Sequence, residues 1–358
     1  MPLQIFDGHN DTLSRFFLGS ADEEEFFHAG GGHLDAPRAR AGGFAGGMFA
    51  IFAPHPDMME NNHLIVDHRL PPEIYSQPVS SDNARRIAEA GIRCFKKMEK
   101  AGNGEFKTVT TVAELKQCLE KKIIAAVIHF EGAEPINTDL SNLESFYQAG
   151  LRSVGLVWSR DNLFGSGVPF EFPGTPDSGR GLTEAGKKLV RACNRLGIIV
   201  DLSHLNGPGF YDVAKISSAP LVATHSCIHA LCPSPRNLTD DQLDAIAASD
   251  GIVGINFCVS FLRKDGEHIT DTPLEIMAAH FRYAADRIGV RHLAIGSDFD
   301  GTTIPDSIGD AAGLPALVEA LRKAGFSESE LRMIASENWL RVFTASWKEQ
   351  KEISSSAD

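Results

Sequence analysis

The chain has 358 residues, 43% of them hydrophobic and 23% charged, and carries a formal net charge of −13. That supplies apolar material for a large core, while the acidic balance argues against a nucleic-acid partner, which calls for a basic stripe. Six scattered cysteines without a CxxC pair fit neither a disulfide framework nor a cysteine zinc site, and no apolar run reaches the ~18 residues that span a bilayer.

The opening MPLQIFDGHND has no basic segment leading into an apolar one, so no secretory signal and a cytoplasmic location are expected. Instead QIFDGHN (4–10) reads at once as a core strand, followed by a second in GGFAGGMFAIFA (42–53). The stretch 54–80, rich in proline and histidine, is too long for a simple connection and is expected to form a lid or contact loop. A helix is predicted over 80–101, where Ser and Asp cap candidates precede apolar residues at helical spacing. IIAAVIHFEG (123–132) is the third strand, and a helix over 142–150 stops at a glycine. RSVGLVWS (152–159) is the fourth strand, followed by a second long loop over 164–181. Helices over 183–197, 207–217, 239–251 and 272–289 then alternate with strands GIIVDLSH (197–204), APLVATHS (219–226), GIVGINF (251–257) and RHLAIGSDF (291–299).

Most of these runs are continuously apolar rather than alternating, as parallel strands buried on both faces should be. Eight strands with helices between them predict a single (β/α)8 TIM-like barrel over residues 1–345. Its long loops would rise at the carboxyl-end face, and a polar tail would follow over 346–358. A doubly wound open sheet is the alternative, but no GxGxxG or GxxxxGK[ST] motif follows any strand.

The chemistry gathers at the strand ends. His9 and Asp11, two residues apart and so on one face of a strand, end the first; Glu131 ends the third, His204 the fifth, His225 the sixth and Asp298 the eighth. All would lie on the face where barrel enzymes build their sites. Any one of them has an ordinary explanation: a hydrogen-bonded core histidine, a helix cap for Asp11, a turn carboxylate for Asp298. Together they are imidazole and carboxylate ligands in a number too large for one tetrahedral ion, which suits two metal ions bridged by a carboxylate.

The ordered series DGHND (7–11), HFEG (129–132), DLSH (201–204), ATHS (223–226), PRN (235–237) and GSDFDG (296–301) resembles the renal (membrane) dipeptidase family of binuclear zinc peptidases. The resemblance implies that His9 and Asp11 bind one zinc, that His204 and His225 bind the other, and that Glu131 bridges them. It implies that Asp298 handles the proton of the attacking water and that Arg236 grips the substrate's terminal carboxylate. The expected activity is hydrolysis of small dipeptides, including L-Xaa-D-Xaa, by a metal-bridged hydroxide. The alternative is a binuclear amidohydrolase acting on another small amide, such as an N-acyl amino acid. Relatives of this type often dimerise, so a homodimer is a further expectation. One departure stands out: where the mammalian-type members carry a histidine that touches the scissile group, LVWSRDN places Trp158, which has one N–H donor and cannot titrate. Trp158 and Asn162 are expected to contact substrate, the first as donor or pocket wall, the second as a polar contact; Asn162 has a turn role as its equal alternative.

Overall fold

The computed structural model describes residues 3–19, 21–60 and 72–348. Nine strands form one parallel sheet: β1 (Ile5–Asn10), β2 (Phe44–Phe52), β3 (Phe106–Thr108), β4 (Ile124–Glu131), β5 (Leu151–Gly155), β6 (Ile199–Asp201), β7 (Val222–Ala223), β8 (Ile252–Ile255) and β9 (Leu293–Ile295). Their order is β1-β2-β4-β5-β6-β7-β8-β9, with β3 paired only to β4. The first and last meet through a parallel bridge between Asn10 and Phe299, and the Asp298 N–H donates to the His9 carbonyl at 2.9 Å. Eight strands thus curl into a nearly closed barrel with helices outside, as the sequence predicts.

Every position of β1, β2, β4 and β5 is buried, because side chains fill the barrel on one face and pack under helices on the other. Several helices begin where hydroxyl side chains satisfy otherwise bare N–H groups. Ser80 caps Ser81–Ala101, Thr183 caps Glu184–Leu196, and Thr239 forms a capping box with Gln242. The amino-terminal end of the barrel is closed by the helix Asn338–Ser346. There Trp339, Phe343 and Trp347 stack in sequence, and the Phe343 ring lies 5.2 Å from that of Phe6. Of the expected polar tail, Ser346 and Trp347 are packed, and residues from 349 onward lie outside the described ones.

β3 is an addition to the predicted set. Its three residues pair with Ile124–Ala126, beside the part of β4 that precedes its pairing with β5. Of the long excursion 54–80, residues 61–71 lie outside the described ones; its helix Pro72–Tyr75 brings Tyr75 against Trp158 and Phe170. The second long loop is tied down, with Val168 N–H bonded to the His204 carbonyl, and delivers Phe170 to the same place.

Candidate active site

At the carboxyl ends of the strands, His9, Asp11, Glu131, His204, His225 and Asp298 converge and all are buried. The ladders stop short of four of them. Asp11 stands one residue past β1, His204 three past β6, His225 two past β7 and Asp298 three past β9, on segments that bend over the barrel mouth. His204 and Asp298 hold left-handed backbone angles, with φ of 67° and 60°. Non-glycine residues adopt such angles at a cost, and strain of this kind concentrates at functional positions.

Glu131 is the centre of the cluster. Its Oε1 lies 3.0 Å from His204 Nε2, 3.7 Å from His225 Nε2 and 3.8 Å from His9 Nε2. His9 Nε2 is also 3.3 Å from Asp11 Oδ2, and the Nε2 atoms of His204 and His225 face one another at 3.1 Å. Three ligand groups result, each with its donor atoms within 4.8 Å of one another: His9, Asp11 and Glu131; Glu131, His204 and His225; and His9, His225 and Asp298.

The electrostatics follow from burial. Desolvation holds the His204 and His225 imidazoles well below their usual range, helped by the positive groups around them, so both are neutral. Desolvation acts the same way on His9, but the carboxylates of Glu131 and Asp11 overcome it and raise this ring to about 10. Glu131 and Asp298 are both pushed up, first by burial, then by neighbouring carboxylates. Neutral imidazoles aimed at one another, with three crowded carboxylates beside them, form a set of N and O donors that fits divalent metal ions.

Further residues hold these groups. Asn256 donates its amide to Asp298 Oδ2 at 2.8 Å. Asp7 accepts from both the N–H and the hydroxyl of Ser297, at 2.6 and 2.7 Å, and so ties β1 to the segment bearing Asp298. The Ser159 hydroxyl meets His204 Nδ1 at 2.7 Å. None of these roles was anticipated. The sole hint for Asn256 was one polar residue inside the apolar run GIVGINF, whereas Asp7 and Ser159 stood inside the quoted stretches DGHND and LVWSRDN.

A cavity above the cluster is lined by Asp11, Glu131, His204 and Asp298 on its polar side and by Phe52, Trp158, Phe170 and Phe261 on its aromatic side. Trp158 is therefore at the mouth, its ring centroid 5.8 Å from that of His204. Arg236 is buried behind Phe261, its guanidinium donating to the Ser226 hydroxyl and to the His225 carbonyl while its Nε has no hydrogen-bond partner among the described residues. Asn162 is placed elsewhere. Its side chain accepts from the N–H groups of Phe164 and Gly165, donates to the Leu156 carbonyl and borders a separate cleft. Among the described residues, no helix is long and apolar enough to cross a membrane.

Residues 2–356 match the model of the membrane dipeptidase family (peptidase family M19). A metallo peptidase from Rhodobacter sphaeroides, solved with a phosphinate mimic of the dipeptide L-Ala-D-Ala, is 47% identical. It superposes with a TM-score of 0.92 over 97% of this chain and 100% of that one. The dipeptidase AC, a metallo peptidase of the same family, is 46% identical with a TM-score of 0.89 over 97% and 99% of the two chains. An uncharacterized protein of Klebsiella pneumoniae, encoded in the pqqA 5′ region, is 47% identical over 69% of this chain and 91% of its own length. The barrel, the converging ligands and these likenesses agree, and the chain belongs to the membrane dipeptidase family.

Proposed function

We propose that this metallo-dipeptidase cleaves small dipeptides, among them L-Xaa-D-Xaa, at a site holding two zinc ions. The observation that carries the reading is the sharing of Glu131 between two ligand groups: His9 and Asp11 would hold one ion with it, His204 and His225 the other. When bound, the ions would supply Lewis acidity, acidifying water and polarising a carbonyl. Asp298 would accept the proton of the attacking water and return it to the leaving amine, since its carboxyl borders the cavity and burial raises its proton affinity. Trp158 would wall the cavity and offer its one N–H where mammalian-type members have a histidine. The stereochemical reading is supported by the phosphinate mimic of L-Ala-D-Ala bound by the Rhodobacter sphaeroides relative.

Arg236 would bind the terminal carboxylate of the substrate. Its guanidinium is buried close enough to Asp298 and Glu131 to feel both, and its Nε has no hydrogen-bond partner among the described residues. A carboxylate clamp beside the scissile bond leaves space for one residue beyond it, which selects dipeptides over longer chains. Arg236→Ala should raise KM for free dipeptides by a factor corresponding to about 2–3 kcal/mol and leave amidated ones nearly unaffected. The test is a panel of L-Xaa-D-Xaa, L-Xaa-L-Xaa and amidated dipeptides, with metal content measured on the same preparation. Equal cleavage of free and amidated substrates by the wild type would refute the clamp. Full activity in protein devoid of transition metal would refute the ions.

A further inference from the structure

We propose that Asp201 and Thr224 are positioning residues that fix the ring tautomer of His225 and so decide whether its Nε2 can ligate metal. The inference rests on reading His225 as a ligand.

Asp201 ends β6 and Thr224 follows β7; the first is 1% exposed and the second 0%. Asp201 Oδ1 accepts two backbone N–H groups, from Ser203 at 3.0 Å and from Thr224 at 2.8 Å. Its Oδ2 accepts the Thr224 hydroxyl at 2.7 Å. The same hydroxyl oxygen lies 2.8 Å from His225 Nδ1. A hydroxyl has one hydrogen to give. Given to Asp201, it is not available to His225, so the oxygen must accept and Nδ1 must carry the ring hydrogen. Were the direction reversed, a bare oxygen would face a carboxylate oxygen at 2.7 Å. Ser203 Oγ stands farther off, at 3.4 Å, and does not compete for that hydrogen. A neutral imidazole has one N–H, so Nε2 keeps its lone pair, and it is Nε2 that faces Glu131 and His204.

The two N–H groups on Oδ1 make the relay reversible by one atom. In Asp201→Asn they would hold the amide oxygen at the Oδ1 position and turn the NH2 toward Thr224. Thr224 would then accept from the amide and give its hydrogen to His225 Nδ1. The ring hydrogen would move to Nε2 and stand where the metal must bind, with the shape of the site unchanged.

The experiment is NMR of full-length protein labelled with 15N-histidine, metal-free, together with Zn2+ binding by chelator competition. Wild type and Thr224→Ser should show His225 as the Nδ1–H tautomer and bind Zn2+ alike. Asp201→Asn should show the Nε2–H tautomer and bind one equivalent of Zn2+ about 10–100-fold more weakly. Thr224→Val, which removes the acceptor but keeps the shape, should weaken the same equivalent. Retention of the Nδ1–H tautomer in Asp201→Asn, or wild-type Zn2+ affinity in both it and Thr224→Val, would overturn the proposal. If Thr224→Val does not fold, the tautomer in Asp201→Asn still decides. Wild type that takes up no Zn2+ would instead overturn the ligand reading of His225, and the metal-free tautomers would judge the relay separately.

Discussion

Glu131 offers one oxygen to three imidazole nitrogens, so its charge serves two ligand groups at once. Glu131→Gln removes that charge and should lower metal content at both positions, more than a change at any single histidine; near-normal metal content and turnover in the variant would show that it bridges nothing. Asp298 is a different case, because it is our proposed proton carrier and also a member of one possible ligand group. Asn tolerates the left-handed angle that Asp298 holds, so Asp298→Asn should fold, and it cannot take a proton. If the residue shuttles the proton, the variant keeps its metal and loses about 10²–10⁴-fold in kcat. If it chiefly ligates, metal is lost and added zinc restores rate, so metal analysis and turnover on one preparation separate the two. Ligand-type side chains at strand ends were legible in the sequence because few other reasons place so many of them on one face. The residues that orient them were not, since Asn256 and Ser159 gain their meaning only from contacts made across the barrel.

β1 shows how far a short strand can be constrained by what it must carry. Its DGHN places Asp7 below, His9 in the site and Gly8 between them, where a Cβ would come 2.3 Å from the Thr224 carbonyl oxygen and 2.6 Å from the Trp339 ring. A backbone oxygen and a packed indole cannot both yield, so Gly8→Ala should destabilise by roughly 1–3 kcal/mol or more and displace His9. Thermal unfolding and metal content should fall together in this variant; a wild-type melting temperature would mean the strand has slack that the packing does not show. The eight barrel strands were legible because most are continuous apolar runs ending at a polar or glycine break. β3 was not, because its FKT is too short and mixed to stand out and is strand-like only through β4. The predicted runs also overshoot the ladders, as residues 202–203 and 296–297 remain apolar or small while the chain leaves the sheet to bring His204 and Asp298 to the site.

The molecule as a whole is polarised along the barrel axis, with charge chemistry at one end and an aromatic plug at the other. Phe343 sits in the plug between Trp339 and Trp347 and meets Phe6 edge to face, fully buried. Phe343→Ala opens a cavity there and should cost about 3–5 kcal/mol. Metal binding stabilises the folded chain separately, by mass action on the native state alone. The plug residue shares no hydrogen bond or ion pair with the ligands, so the two effects should add. Melting of wild type and variant, each with and without zinc, therefore forms a square in which the loss from Phe343→Ala is the same in both metal states. At temperatures well below unfolding, kcat and metal content of the variant should match wild type, because a plug supports the barrel without touching substrate. A variant whose destabilisation vanished on zinc loading, or whose kcat fell at a temperature where it is fully folded, would show that the two ends are coupled, with β1, which carries both Phe6 and His9, as one route.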